Sequence, residues 1–439
     1  MTDMGGVPFR NCYEPTTRTP VAIGGVGERV RDFYDRHPYP PPVAHLDKYQ
    51  QRWQDRQRRR ADFHLSWPRH VYREDQAILV AGCGTSQAAK HALRWPGAQV
   101  TGIDCSATSV CHTEQLKKKY DLKNLQVHQL SIERVNELGM SFDQIVCTGV
   151  LHHLADPDAG LSALRRALKP DGAMHLMVYA PYGRTGIYML QEFCRRMRIQ
   201  ADNGEIRDLI GALSALPPGH PLENLLSQAP ELRNEAALAD ALLHPHDRAY
   251  SVPQLFDFIE NGGLTFGRWI RQAPYSLHCG VIAKIPQVTR MARLSLAEQF
   301  AAVELFRGTM ARHSLVVYRS DSASAPRPIS FTNDAWLDYV PIRISETICV
   351  QERLPPGTAA VLINRTHTYR DLLLPIGPTE KRLFDAIDGR RRIGDIAERT
   401  LSSSNRVAYF DVMRTFFERL WWHDQVVFDI APGAERERH

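Results

Sequence analysis

Paired cysteines are the first thing missing from this 439-residue chain. Its eight cysteines, at 12, 83, 105, 111, 147, 194, 279 and 349, never form a C-x-x-C pair. That spacing argues against a structural zinc site and suits reduced thiols in a cytosol. Long apolar runs are missing too. No stretch approaches the roughly 18 residues of a membrane span, and the opening MTDMGGVPFRNCYEP lacks the apolar segment of a signal peptide. A strong charge excess is also absent: 54 basic against 49 acidic residues leave a net charge of +5, too small to identify a nucleic-acid binder. The expectation is a cytoplasmic protein with no membrane partner. What remains is ordinary globular material, 43% hydrophobic and long enough for about two to three domains.

The stretch around which the chain is organised is Gln76 to Asp104, QAILVAGCGTSQAAKHALRWPGAQVTGID. Ile78 to Ala81 is a continuous apolar run closed by glycines, which suits a parallel strand buried on both faces. In Gly82-Cys83-Gly84-Thr85-Ser86 the glycines bare the backbone to a ligand. Gln87 to Trp95 then winds as a helix whose first N–H groups face whatever covers the turn. A second strand, Gln99 to Ile103, ends at Asp104, where a carboxylate can accept both hydroxyls of a ribose. One glycine is lacking. A pyrophosphate-binding turn reads G-x-G-x-x-G/A, and here Gln87 stands third.

AGCGTSQ followed by TGID resembles the first two motifs of class I S-adenosylmethionine-dependent methyltransferases. The resemblance implies that the glycine turn (Gly82, Cys83, Gly84, Thr85, Gln87) lies beside the methionine part of S-adenosylmethionine, while Asp104 holds the ribose and Cys105 is a further cofactor-binding position. It extends through FDQIVCTGVLHHLADP, where Phe142 to Val150 reads as a fourth strand, and LKPDGAMHLMVY, where Ala173 to Tyr179 reads as a fifth. Thr148 and Val150 would line the cofactor. After the third strand, Leu125 to Leu130, the resembled family usually has an acid near the adenine; Ser131 stands here instead, followed by Ile132. His152 and His153 lie just past the carboxyl end of the fourth strand, where ligands of open α/β sheets bind, and an imidazole there can serve as a base or orient the turn.

Upstream, Gly27 to His37 predicts a short helix stopped by Pro38, and the prolines fix an extended segment around Tyr39. FYDRHPYPPP either packs as an arm or folds Tyr34 and Tyr39 over the cofactor. Lys48 to Arg60, KYQQRWQDRQRRR, reads as a solvated helix with an apolar seam built on Trp53, the alternative being a phosphate contact.

Beyond the fifth strand, Tyr179, Tyr182 and Arg184 sit on a glycine-bearing loop at the sheet's carboxyl edge, where acceptor and methyl donor must meet. Predicted helices over 187–198, 205–216 and 231–243, interrupted by Pro217-Pro218 and Pro230, form an inserted lid of about 187–250. In His244-Pro245-His246-Asp247 the ligand types suit a metal, but with no third partner evident a loop contact is the expected use and no metal site is assigned. Leu264 to Tyr275 and Ser314 to Arg319 complete seven strands. Ser320 to Pro328 is the clearest linker. Helices over 379–389, 393–400 and 407–420, trailed by a strand at 425–429, suggest a winged-helix-like module. Its arginines 390–392 are surrounded by acids, which argues against DNA. That module and FYDRHPYP also resemble, more loosely, the bacterial outer-membrane protein lysine methyltransferases.

The expected architecture is therefore α/β: an N-terminal arm with helices (1–69), a Rossmann-like seven-stranded methyltransferase domain with a helical lid (70–322), and a small α+β winged-helix-like module (323–439). The expected activity is methyl transfer from S-adenosylmethionine to an N or O nucleophile, with Tyr179, Tyr182, Arg184 or His152 meeting the acceptor. A protein side chain is the first expected acceptor. A metabolite or natural product is the alternative, and a non-catalytic regulator that binds S-adenosylmethionine is the contrasting reading.

Overall fold

A computed structural model describes residues 25–228, 234–322, 329–400 and 406–431. Residues 1–24 of the expected N-terminal arm, Pro230, the first turn of the helix expected from Glu231, and positions 323–328 of the expected linker lie outside the described residues.

The chain begins with α1 (Val26–Arg36), α2 (Asp47–Trp53) and α3 (Arg56–Ser66). The basic run is thus two helices, divided where the Asp55 side chain accepts the Gln57 N–H and starts α3. Trp53 is buried, with the Arg94 guanidinium 4.0 Å from its ring centroid.

A parallel α/β array follows: β1 (Ala77–Ala81), α4 (Gln87–Arg94), β2 (Gln99–Asp104), α5 (Ala107–Lys119), β3 (Leu125–Gln129), β4 (Phe142–Thr148), α6 (Pro157–Ala167) and β5 (Leu168–Tyr179). β1 pairs with β2 and β4, and Ile78, Leu79, Val80 and Ala81 are buried, as a strand covered on both faces requires. The Ser106 hydroxyl accepts the Ser109 N–H and caps α5, while Asp156 accepts the Ala159 N–H and caps α6. β5 starts earlier than expected, because Leu168 pairs with Phe142 across an irregularity before the register settles at Ala173.

The helical insertion contains α7 (Thr185–Met197), α8 (Asn203–Leu213), α9 (Leu222–Gln228) and α10 (Glu235–Leu243), α9 being unforeseen. α11 (Val252–Asn261), β6 (Leu264–Trp269), α12 (Val288–Met291), α13 (Leu296–Arg307) and β7 (Arg312–Arg319) complete the array. β6 stops at Trp269, short of the expected Tyr275, because Ala273–Tyr275 turns into a 3-10 helix. The sheet order is β3-β2-β1-β4-β5-β7-β6, with β7 antiparallel to both neighbours. This is the seven-stranded Rossmann-like methyltransferase sheet.

The C-terminal unit is α+β: β8 (Val340–Arg343), β9 (Thr347–Val350), β10 (Ala360–Asn364), β11 (Leu373–Ile376), α14 (Pro378–Asp385), α15 (Ile393–Thr400), α16 (Arg406–Trp422) and β12 (Val426–Asp429). Its helices and last strand were expected; the three-stranded sheet β11-β10-β9 was not. Trp336, Phe416, Phe417 and Phe428 fill its core. It docks on α3, where Ala61 and Leu65 meet Ile342, Ile344 and Val427. Arg60 reaches Asp429 at 2.7 Å and the Gly389 carbonyl, and Arg58 pairs with Glu346. The basic run therefore fastens one unit to the other. A buried carboxylate strengthens the seam: Asp424 accepts the Gln272 and Ala273 N–H groups at 3.0 Å each and lies 3.1 Å from His367 Nε2.

Candidate active site

A cavity of about 820 Å³ opens at the carboxyl ends of β1, β2, β4 and β5. Its floor is the glycine turn, with Gly82 and Gly84 at φ of +66° and +53°. A Cβ at Gly82 would fall 2.4 Å from Val150 Cγ2, and one at Gly84 would fall 3.0 Å from the Tyr39 carbonyl oxygen. The turn is pressed between the strand-four loop and the proline arm, with no room for larger residues. The Thr85 hydroxyl fastens the arm by donating to the Pro40 carbonyl at 2.8 Å.

At the tip of β2, Asp104 Oδ2 accepts the Gly84 N–H at 2.8 Å and Oδ1 accepts the Ser106 N–H at 2.9 Å. Burial raises its carboxyl pKa to about 6, against the two N–H bonds, with the nearby Asp35 charge adding to the rise. Two backbone bonds leave lone pairs on both oxygens, so this carboxylate can still accept hydroxyl donors. The cavity there is lined by Gln87, Cys105, Ser131 and Ile132, with Thr148 and Val150 continuing the wall.

On the other side, Tyr34 from α1 and Tyr179 from the end of β5 converge on Asp240 of α10. Their hydroxyls donate to its two oxygens at 2.9 and 3.4 Å. Burial is the main cause of the raised pKa of all three groups. Arg184 stacks with its Cζ 3.5 Å from the Tyr179 ring centroid and pairs with Asp247 at 3.2 Å. Tyr39 also lines this chamber. Thr366, His367, Thr368 and Tyr369 enter it from the C-terminal unit.

Four expected site residues stand elsewhere. Cys83 is fully buried behind the turn, its sulfur 3.2 Å from where a Gly102 Cβ would lie. Thr85 is buried with its hydroxyl committed to the arm. Tyr182 is 39% exposed on the outside of the loop, because the chain turns there into a short 3-10 helix. His152 packs beneath Tyr179, ring centroids 3.9 Å apart, and does not line the cavity. Its neighbour His153 does, with Nδ1 2.8 Å from the His246 carbonyl and a pKa lowered to about 4, chiefly by burial. Asp240 was missed, although a lone acid in the buried run Ala237 to Leu242 is a readable signal.

Residues 79–174 match the family described as a methyltransferase domain. An uncharacterized protein of Synechococcus is 33% identical over 252 residues, covering 55% of this chain and 59% of that protein. A ubiquinone biosynthesis O-methyltransferase of Albidiferax ferrireducens is 29% identical over 155 residues, covering 32% of this chain and 61% of the relative. The chain thus spans about three fifths of the length of these curated relatives. Among solved structures, PKMT2 from Rickettsia typhi in complex with AdoHcy superposes with a TM-score of 0.62 at 15% identity, covering 89% of this chain and 77% of that one. At that identity the likeness concerns the fold. The family match, the 3-2-1-4-5-7-6 sheet and the glycine turn with its acid together identify the domain built on residues 79–174 as a class I S-adenosylmethionine-dependent methyltransferase domain.

Proposed function

We propose that the chain as a whole methylates an N or O nucleophile, with a protein side chain as its acceptor. The observation that carries the cofactor half of this reading is Asp104: a half-buried carboxylate with free lone pairs at the end of β2, one hydrogen bond from a bare glycine turn. Gly82 and Gly84 would hold the amino-acid end of S-adenosylmethionine, Asp104 the ribose, and Cys105, Ser131 and Ile132 the adenine, with Tyr39 covering it. When bound, the cofactor supplies an electrophilic methyl group.

The chain's own residues would then align an acceptor and exclude water. In-line displacement gains most from proximity and orientation. Tyr179, Arg184 and His153 form the wall toward which the acceptor would face. At neutral pH Tyr179 keeps its proton, and Asp240, bonded to it, fixes where the phenol points.

A side-chain acceptor is supported by the cavity's volume, high in the range of about 300–1,000 Å³ typical of ligand pockets, and by the wall that the C-terminal unit supplies. A metabolite acceptor is favoured instead by the relatives named for ubiquinone biosynthesis. Purified chain incubated with methyl-labelled S-adenosylmethionine and cell extract, followed by mass spectrometry of the labelled product, separates the two. Label in protein supports the first reading and label in small molecules the second. Cofactor binding without label in any product leaves a regulatory binder.

A further inference from the structure

The turn after β4 and the end of α10 bring imidazoles and carboxylates together beside the cavity, in the very segment whose HPHD run had no visible third partner in sequence. His153, Asp240 and His244 each offer one ligand atom within 4.8 Å of the other two. His153 and Asp240 are buried, and the His153 and His244 rings lie 3.8 Å apart between centroids. The Nε2 atoms of both histidines are shut off from solvent and have no hydrogen-bond partner among the described residues. Buried polar atoms are rarely left so, because each costs about 1–3 kcal/mol.

We propose that His153, Asp240 and His244 bind one divalent transition-metal ion of zinc type, at the seam between the sheet and the helical insertion. The surrounding contacts suit that role. His153 directs Nδ1 at the His246 carbonyl, which leaves the lone pair on Nε2. Asp240 is oriented by the hydroxyls of Tyr34 and Tyr179, as ligating carboxylates usually are. His244 accepts the His246 N–H at Nδ1 over 3.1 Å, so ligation through Nε2 moves the ring proton to Nδ1 and breaks that bond. Tetrahedral coordination at about 2.0–2.2 Å needs ligand atoms about 3.4 Å apart, so side chains now within 4.8 Å of one another close by up to about 1.4 Å. Two imidazoles and one carboxylate suit zinc better than magnesium or calcium, and three protein ligands leave a fourth position open.

A second grouping, His152, His153 and Asp247, is less suitable. Asp247 Oδ2 already pairs with Arg184 at 3.2 Å and accepts from Gln191 at 3.0 Å, so its charge is committed to the guanidinium.

The inference is independent of methyl transfer and is tested without it. Untagged full-length chain, stripped with a chelator, is titrated with Co²⁺. One equivalent should bind with the visible absorption of a four-coordinate site, and Zn²⁺ should bleach it. Asp240→Asn and His244→Ala should each weaken Co²⁺ binding at least 10-fold, with near-ultraviolet circular dichroism reporting that each is folded. Lack of stoichiometric uptake by the wild type, uptake unchanged in both variants, or a thiolate-to-cobalt band placing the ion on cysteine overturns the proposal. If one variant unfolds, the wild-type spectrum and the other variant decide.

Discussion

Asp104→Asn changes one oxygen to an amide and leaves the side chain's volume almost untouched. The amide oxygen can keep one of the two backbone bonds, to Gly84 or Ser106, so the turn retains a tether. What disappears is the charge that would receive the ribose hydroxyls. Hydrogen bonds to a charged group contribute about 1.5–3 kcal/mol against about 1 kcal/mol for neutral ones. Exchanging two of them should weaken cofactor binding by about 1–3 kcal/mol, roughly 5- to 150-fold. The pH dependence gives the sharper signature. With a pKa of about 6 the free carboxylate is mostly ionised at pH 7 and mostly protonated at pH 5. Since the ionised form is the acceptor, wild-type affinity should fall about 10-fold over that interval, about 1.4 kcal/mol. The Asn variant should show none of that component. Calorimetric titration with S-adenosylhomocysteine at pH 5, 6 and 7 measures both proteins. A wild type with flat affinity, or an Asn variant equal to it at pH 7, would refute the assigned cofactor site.

Gly82→Ala should abolish cofactor binding and lower the melting temperature, because the new methyl meets Val150 at 2.4 Å and the +66° backbone costs a further ~1–2 kcal/mol; a normally stable, binding-competent variant counts against the close turn. Asp424→Ala removes the acceptor shared by Gln272, Ala273 and His367 and should destabilise the chain by about 3–5 kcal/mol in denaturant unfolding. Burial alone would raise the Asp424 pKa, but His367 and the Arg268 and Arg271 charges hold it below its ordinary value of 3.8. Its contribution is therefore present above about pH 4 and lost only as pH falls through the depressed value, and the variant should lack that acid limb. Arg60→Ala should loosen the seam by roughly 1–3 kcal/mol through loss of the Asp429 pair, measured as earlier proteolysis between the units; a wild type whose tight duplex-DNA binding the variant abolishes would restore the phosphate reading of that run.

The parallel half of the sheet was legible because a central strand covered on both faces reads as an apolar run, as Ile78 to Ala81 does, and because the segments read as β2, β4 and β5 follow it in order. β8 to β11 were hidden for the opposite reason. They are four or five residues long, antiparallel and partly exposed, and Pro375 interrupts the last. In the site, motif spacing indicated the turn and Asp104, but which of two adjacent histidines faces the cavity depends on the twist of a 3-10 turn that spacing does not encode. Tyr182 failed similarly, its direction being set by where the loop bends. Asp240 is 136 residues from Asp104, and Tyr369 a further 129, so their meeting around one chamber is a property of packing.

That chamber's last wall has a consequence for how such a protein can change over time. The segment matched to known methyltransferase domains ends at residue 174, whereas Thr366 to Tyr369 come from the C-terminal unit almost two hundred positions later. Substitutions in β10, β11 or the loop between them can remodel the chamber's mouth while the donor's berth stays intact. Grafting that loop between relatives should transfer a preference for acceptors and leave affinity for the methyl donor where it was.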